Sequence, residues 1–126
     1  MGNRKLENNE TILVVDDDPS IRLVLSAGLK QEGYQVISVA DGSDGLRELK
    51  AGLKPALIIL DQDMPVMNGD ELLKEKTVDP NLAPIPVVVI SATTDRSTPL
   101  GAAAFISKPF NFDTLLALIK RYTGPK

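Results

Sequence analysis

The 126-residue chain has no cysteine, no histidine and no tryptophan. Without cysteine there are no disulfides, no thiol nucleophile and no thiolate metal site. The absence of histidine excludes more: an imidazole general base, a Ser-His-Asp triad, His-ligated zinc and a phosphohistidine carried by this chain. Chemistry here must run on carboxylates, hydroxyls, lysine and arginine. Any metal should be a hard, oxygen-seeking cation.

Excess positive charge is also lacking. Fourteen Lys and Arg face 17 Asp and Glu, for a net charge of -3 and a pI near 4.9. That balance gives no electrostatic reason to expect nucleic acid or an anionic membrane as partner. No apolar run approaches the roughly 18–20 residues of a membrane span. The opening MGNRKLENNE has no apolar core and does not read as a signal peptide. A myristoylation motif beginning at Gly2 would want Ser or Thr where Leu6 stands. The working class is a soluble cytoplasmic protein of one domain, residues 10–123, with tails at 1–9 and 124–126.

Five short apolar runs alternate with helix-like stretches. The runs are Thr11–Val15, Gln35–Val39, Ala56–Leu60, Pro86–Ile90 and Ala104–Ser107. The first, third and fourth are continuous, as expected of strands covered on both faces of a parallel sheet. Ile21, Val24, Leu25, Gly28 and Leu29 recur at helical spacing, with Asp18 as cap and Pro19 in the first turn. Leu46, Leu49 and Leu53 mark a second helix capped by Asp41. A third begins near Asn68-Gly69 and carries Leu72 and Leu73. Phe112, Leu115, Leu116, Ile119 and Tyr122 form the face of the last helix. The pattern is α/β, (βα)5 or nearly so: a doubly wound five-stranded parallel sheet in the flavodoxin-like order 2-1-3-4-5.

One crossover departs from the pattern. Only twelve residues, Ala92 to Ala103, join the fourth strand to the fifth, about the minimum for a parallel connection. They include Thr93, Thr94, Ser97, Thr98, Pro99 and Gly101, poor residues for a helix interior. The helix between these strands should be short or absent.

In this architecture ligands bind beyond the carboxyl ends of the strands, where the strand order reverses. Strand one ends in Asp16-Asp17, strand three in Asp61, strand four in Ser91 and strand five in Lys108-Pro109. Taken singly, Asp18 is a helix cap, Ser91 a loop hydroxyl and Lys108 a solvated lysine. A cap needs only one acidic residue, however, so Asp16 and Asp17 are left over. With strands one and three adjacent, three carboxylates converge. Two like charges about 4 Å apart repel by about 4 kcal/mol at an effective dielectric of about 20. Such a cluster protonates a member or recruits a divalent cation, and oxygen ligands with room for water favour Mg²⁺. A carboxylate backed by Mg²⁺ and facing an ammonium and a hydroxyl is arranged to accept a phosphoryl group.

With these residues in place, the chain resembles a two-component response-regulator receiver domain of the CheY-like type. The resemblance spans residues 10–122 and is carried by ILVVDDDPSIR at 12–22, LIILDQDMPVMNG at 57–69, VVVISA at 87–92 and FISKPF at 105–110. It implies Asp61 as phosphoacceptor. It also implies Asp17 and Asp61 as direct Mg²⁺ ligands, Asp16 as a ligand through water, and the Asp63 carbonyl as a further ligand. By the same resemblance Ser91 is the switch hydroxyl, Lys108 the phosphate-contacting lysine before a cis proline, and Phe105 the aromatic whose rotamer reports the switch. Met64-Pro65 and Gly69 would shape the loop on the metal side. The implied partners are a histidine kinase or histidine phosphotransfer protein upstream and, unless the chain is a piece of something longer, an effector protein downstream.

Two features stand apart from the family pattern. A missing helix before the fifth strand would remove part of a face that many receivers use for output, shifting output to another surface or to the loop holding Asp95 and Arg96. Asp63, two residues past the acceptor, occupies a position that tunes phosphoryl lifetime in the family. Two rival readings are a receiver fold that binds partners independently of phosphorylation, and a haloacid-dehalogenase-type phosphatase using Asp61 and Asp63. The second is disfavoured by Pro65, where that family wants Thr or Val, and by the shortness of the chain. A calcium loop at Asp41–Leu46 fails for want of the required Gly and Glu.

Overall fold

The apolar runs become strands and the periodic stretches become helices in the computed structural model, which describes residues 10–62, 69–92 and 101–123. In chain order the elements are β1 (Thr11–Val15), α1 (Pro19–Gln31), β2 (Gln35–Val39), α2 (Gly42–Lys50), β3 (Leu57–Asp61), α3 (Gly69–Val78), β4 (Val87–Ser91), β5 (Ala104–Ser107) and α4 (Phe112–Thr123). The strands form one sheet in the order β2-β1-β3-β4-β5, and every neighbouring pair is parallel. This is the doubly wound architecture expected from the alternation. No helix lies between β4 and β5 among the described residues; positions 93–100, including Asp95 and Arg96, lie outside them.

Strand alternation divides the core in two. Ile12, Val14, Leu57, Ile59, Val88 and Ile90 point to one face and pack with Leu25 and Leu29 of α1 and Leu115 and Ile119 of α4. Leu13, Val15, Ile58, Leu60, Val87 and Val89 point to the other and pack with Leu49 of α2 and Leu72 and Leu73 of α3. Side chains on both faces are thereby removed from water, which accounts for the unbroken apolar runs.

β3 and β4 each begin and end one residue later than their apolar runs. Pro86 has no N–H to donate, but its carbonyl accepts from Ile58 N at 2.9 Å. At the other end the ladder continues through Asp61 opposite Ile90 and Ser91 opposite Ser107. Both polar residues therefore sit in the sheet itself, not in the loops that follow it.

The helix starts follow the capping chemistry. Asp18 accepts from Ser20 N at 2.8 Å and Asp41 from Asp44 N at 2.8 Å, each satisfying an orphan donor of the first turn. Two details differ from the sequence reading. Val24, at the margin of the α1 stripe, is 57% exposed. Leu53 lies beyond α2, which ends at Lys50; the chain turns at Gly52 with φ +113° and returns Leu53 to the second core. Lys76 is buried near the end of α3 and donates to the Ala83 carbonyl at 2.8 Å, tying the helix to the connection that leads into β4. No helix among the described residues is long and apolar enough to cross a membrane.

Candidate functional site

The carboxyl ends of β1, β3, β4 and β5 meet on one rim of the sheet. Asp16 follows β1, and its N–H donates to the Val39 carbonyl at 3.1 Å, extending the β1–β2 ladder by one bond. Asp61 closes β3 and Ser91 closes β4, both buried. Lys108 follows β5 and donates its backbone N–H to the Ser91 carbonyl at 2.8 Å, which brings the lysine back over β4 and β3. The Lys108-Pro109 peptide is cis. Phe105, in β5 opposite Val89, is half-buried against the second core.

The side chains converge accordingly. One carboxylate oxygen from each of Asp16, Asp17 and Asp61 lies within 4.8 Å of the others. Lys108 Nζ stands 3.4 Å from Asp61 Oδ2 and 3.9 Å from Asp16 Oδ2. Asp16 Oδ1 accepts the Asp18 N–H at 2.9 Å, whereas the buried Oδ2 has no hydrogen-bond partner among the described residues. Burying a carboxylate disfavours its charged form. Burial is accordingly the main reason the Asp16 carboxyl is pushed up from 3.8 to about 6; Asp61 and Asp17 add to the rise, while the Asp18 amide and Lys108 oppose it.

This donor set fits a hard divalent cation. It is entirely oxygen, compact and acidic, with three carboxylates against one ammonium. It also holds a buried carboxylate oxygen that no described residue supplies with a donor, an arrangement that costs free energy unless something else satisfies the atom. Of the expected site residues that are described, Asp16, Asp17, Asp61, Ser91 and Lys108 are thus gathered on one rim, while Phe105 lies within β5 against the second core. Asp63, Met64 and Pro65 lie outside the described residues.

One contact was not foreseen. Arg22, in the second turn of α1, donates from Nη1 to the Asp16 backbone carbonyl at 2.7 Å. The available signal was its place six residues after Asp16, where the first turns of a capped helix fold back over the strand end. It was legible only once the direction of α1 was known.

Comparison with known proteins agrees with this geometry. The response regulator receiver domain family matches residues 12–120. Sporulation initiation phosphotransferase F of Bacillus subtilis is 36% identical over 120 residues, covering 90% of this chain and 94% of that protein. Among solved structures, the chemotaxis response regulator CheY4 of Vibrio cholerae superposes with a TM-score of 0.83 at 31% identity, over 91% of this chain and 99% of that one. The response regulator TrrA of Thermotoga maritima, solved in complex with Mg²⁺-BeF, gives a TM-score of 0.79 at 31% identity, over 90% of this chain and 98% of that one. The chain belongs to the response-regulator receiver family and is a receiver domain of a two-component system.

Proposed function

We propose that this chain, through a receiver unit spanning residues 10–123, accepts a phosphoryl group on Asp61 from a histidine kinase or histidine phosphotransfer protein, in a Mg²⁺-dependent reaction, and then changes conformation to control a partner protein. The observation that carries the proposal is the meeting of three carboxylates within 4.8 Å with one ammonium 3.4 Å from Asp61. Asp16, Asp17 and Asp61 would hold the cation, with the Asp63 carbonyl as the further ligand that the family resemblance implies. A bound Mg²⁺ supplies positive charge against the oxygens of an incoming phosphoryl group.

The roles of the side chains follow from their places. An Asp61 carboxylate oxygen attacks phosphorus, the P–N bond to the donor imidazole breaks, and an acyl phosphate forms on Asp61 while the imidazole leaves with the bonding pair. Lys108, 3.4 Å from Asp61, neutralises a phosphoryl oxygen. The Ser91 hydroxyl, at the end of the neighbouring strand, donates to another once the β4 end moves toward Asp61. Phe105, one strand further out, follows that movement in the role that the family resemblance implies. Reversal by water attack on the acyl phosphate would use the same groups, so the chain assists both its own charging and its own discharge. This reading implies the cytoplasm as the compartment.

Incubation with Mg²⁺ and a small phosphodonor such as acetyl phosphate tests the proposal. The expected product is a hydroxylamine-labile acyl phosphate that is lost in Asp61→Asn and on removal of Mg²⁺ by chelation. A phosphoryl adduct that persists in Asp61→Asn would overturn the assignment, and failure of the wild type to label would favour a phosphorylation-independent binding module.

A further inference from the structure

We infer that Arg22 is a positioning residue for the cation site, acting through the peptide that joins Asp16 to Asp17. The inference rests on the proposed cation site and concerns how its acidic turn is held.

Asp16 is anchored at three points. Its N–H is bonded to Val39 of β2 at 3.1 Å, its Oδ1 accepts from Asp18 N at 2.9 Å, and its carbonyl accepts from Arg22 Nη1 at 2.7 Å. The first two fix the Asp16 nitrogen and side chain. The third fixes the carbonyl, and so the plane of the Asp16–Asp17 peptide. That plane sets the direction in which the Asp17 Cα–Cβ bond leaves the turn. Asp17 is exposed, with its carboxylate oxygen within 4.8 Å of those of Asp16 and Asp61. Its position beside Asp16 and Asp61 therefore depends on the course of the backbone that carries it.

Arg22 is itself well braced for this work. Its own N–H bonds back to the Asp18 carbonyl at 3.1 Å as part of α1, its side chain is half-buried, and a guanidinium donates in a fixed planar geometry. A charged donor at 2.7 Å is at the short end for N–H···O bonds. Replacing Arg22 leaves a carbonyl without its donor and frees one peptide plane in a turn that must hold two carboxylates in register. Groups that orient metal ligands without touching the metal typically contribute about 10–100-fold to metal affinity.

The test is Mg²⁺ titration of the full chain by calorimetry, carried out well below the unfolding transition, for the wild type, Arg22→Ala, Arg22→Lys and Leu29→Val. Leu29→Val lowers stability from the same helix without touching the turn, so it separates positioning from general destabilisation. Arg22→Ala is expected to weaken Mg²⁺ binding roughly tenfold, Arg22→Lys to recover part of the loss, and Leu29→Val to bind as the wild type does. Amide exchange without metal gives an independent readout: the Asp18 N–H should lose protection in Arg22→Ala relative to Leu29→Val. Wild-type affinity in Arg22→Ala, or an equal loss in Leu29→Val, overturns the role of Arg22 and leaves the cation site standing. Absence of Mg²⁺ binding by the wild type overturns both.

Discussion

The ring of Phe112 occupies the space that a side chain at Gly28 would need: a Cβ built on Gly28 comes 2.6 Å from the tip of the ring. This glycine is the seat on which α4 settles against α1. In an exposed helix interior, Gly→Ala gains about 1 kcal/mol from helix propensity. At Gly28 the added methyl displaces the ring, and overpacking of this kind costs about 1–3 kcal/mol. Gly28→Ala is therefore expected to lower the urea midpoint. In a Phe112→Ala background the same change should raise it, because the obstruction has gone and the propensity remains. An unchanged sign in the two backgrounds would show that the ring and the glycine are not coupled.

Asp16 makes the metal-free protein pH-sensitive. Its carboxyl is held at about 6 in the folded state against an ordinary 3.8, so the folded state binds the proton more tightly than the unfolded state. The cost of keeping this group charged is fully present above about pH 6, is relieved as pH falls toward 4, and amounts to about 3 kcal/mol. In chelator-treated buffer, Asp16→Asn should therefore be more stable than the wild type at pH 7.5, with the gap closing near pH 4. Added Mg²⁺ should narrow or invert the gap at pH 7.5, since ligand stabilisation accrues to the chain that binds it. Chemical denaturation at the two pH values, with and without Mg²⁺, checks both signs.

Tyr34 ties the entry to β2 to the end of α4. Its hydroxyl lies 2.8 Å from Thr123 Oγ1 in the core. Thr123 Oγ1 donates to the Ile119 carbonyl at 2.8 Å, so the tyrosine must be the donor of the shared bond. Tyr34→Phe removes one buried hydrogen bond and nothing of the ring's packing, and should cost about 1 kcal/mol. A loss confined to the unfolding rate would mean that α4 docks after the folding barrier has been crossed.

How far the sequence could be read depended on whether a residue acts through its neighbours along the chain or across it. The strands, their order and the caps Asp18 and Asp41 were legible because alternation, continuous burial and side-chain capping are local. The rim residues were legible because a polar group ending an apolar run has only one end of a parallel sheet to occupy. Tyr34, following Gly33 in a turn, gave no sign of burial, because its partner is 89 residues away. The Arg22 contact with Asp16 depended on the angle at which α1 leaves β1. The run boundaries at 60 and 90 were one residue short because hydrophobicity marks side-chain burial, whereas the ladder follows backbone bonding and carries Asp61 and Ser91 with it.

Lys108 and a bound cation answer the same negative charge, which sets them in competition. The ammonium stands 3.4 Å from Asp61 and 3.9 Å from Asp16 and offsets their negative charge in the metal-free chain. Lys108→Met keeps the aliphatic stem and removes the charge. Without metal, the two carboxylates then lose that ammonium, and stability at neutral pH should fall. With metal, the repulsion between ammonium and cation has gone. Unit charges at about 4 Å interact by about 1 kcal/mol in water and about 4 kcal/mol at an effective dielectric of 20, so Mg²⁺ affinity should rise by roughly fivefold or more. Labelling by acetyl phosphate should fall at the same time, because the variant lacks the group proposed to receive a phosphoryl oxygen. Tighter metal binding with weaker labelling is the signature expected of a residue that works on the phosphoryl group and not on the cation. Parallel loss of both in Lys108→Met would instead make Lys108 part of the scaffold of the metal site.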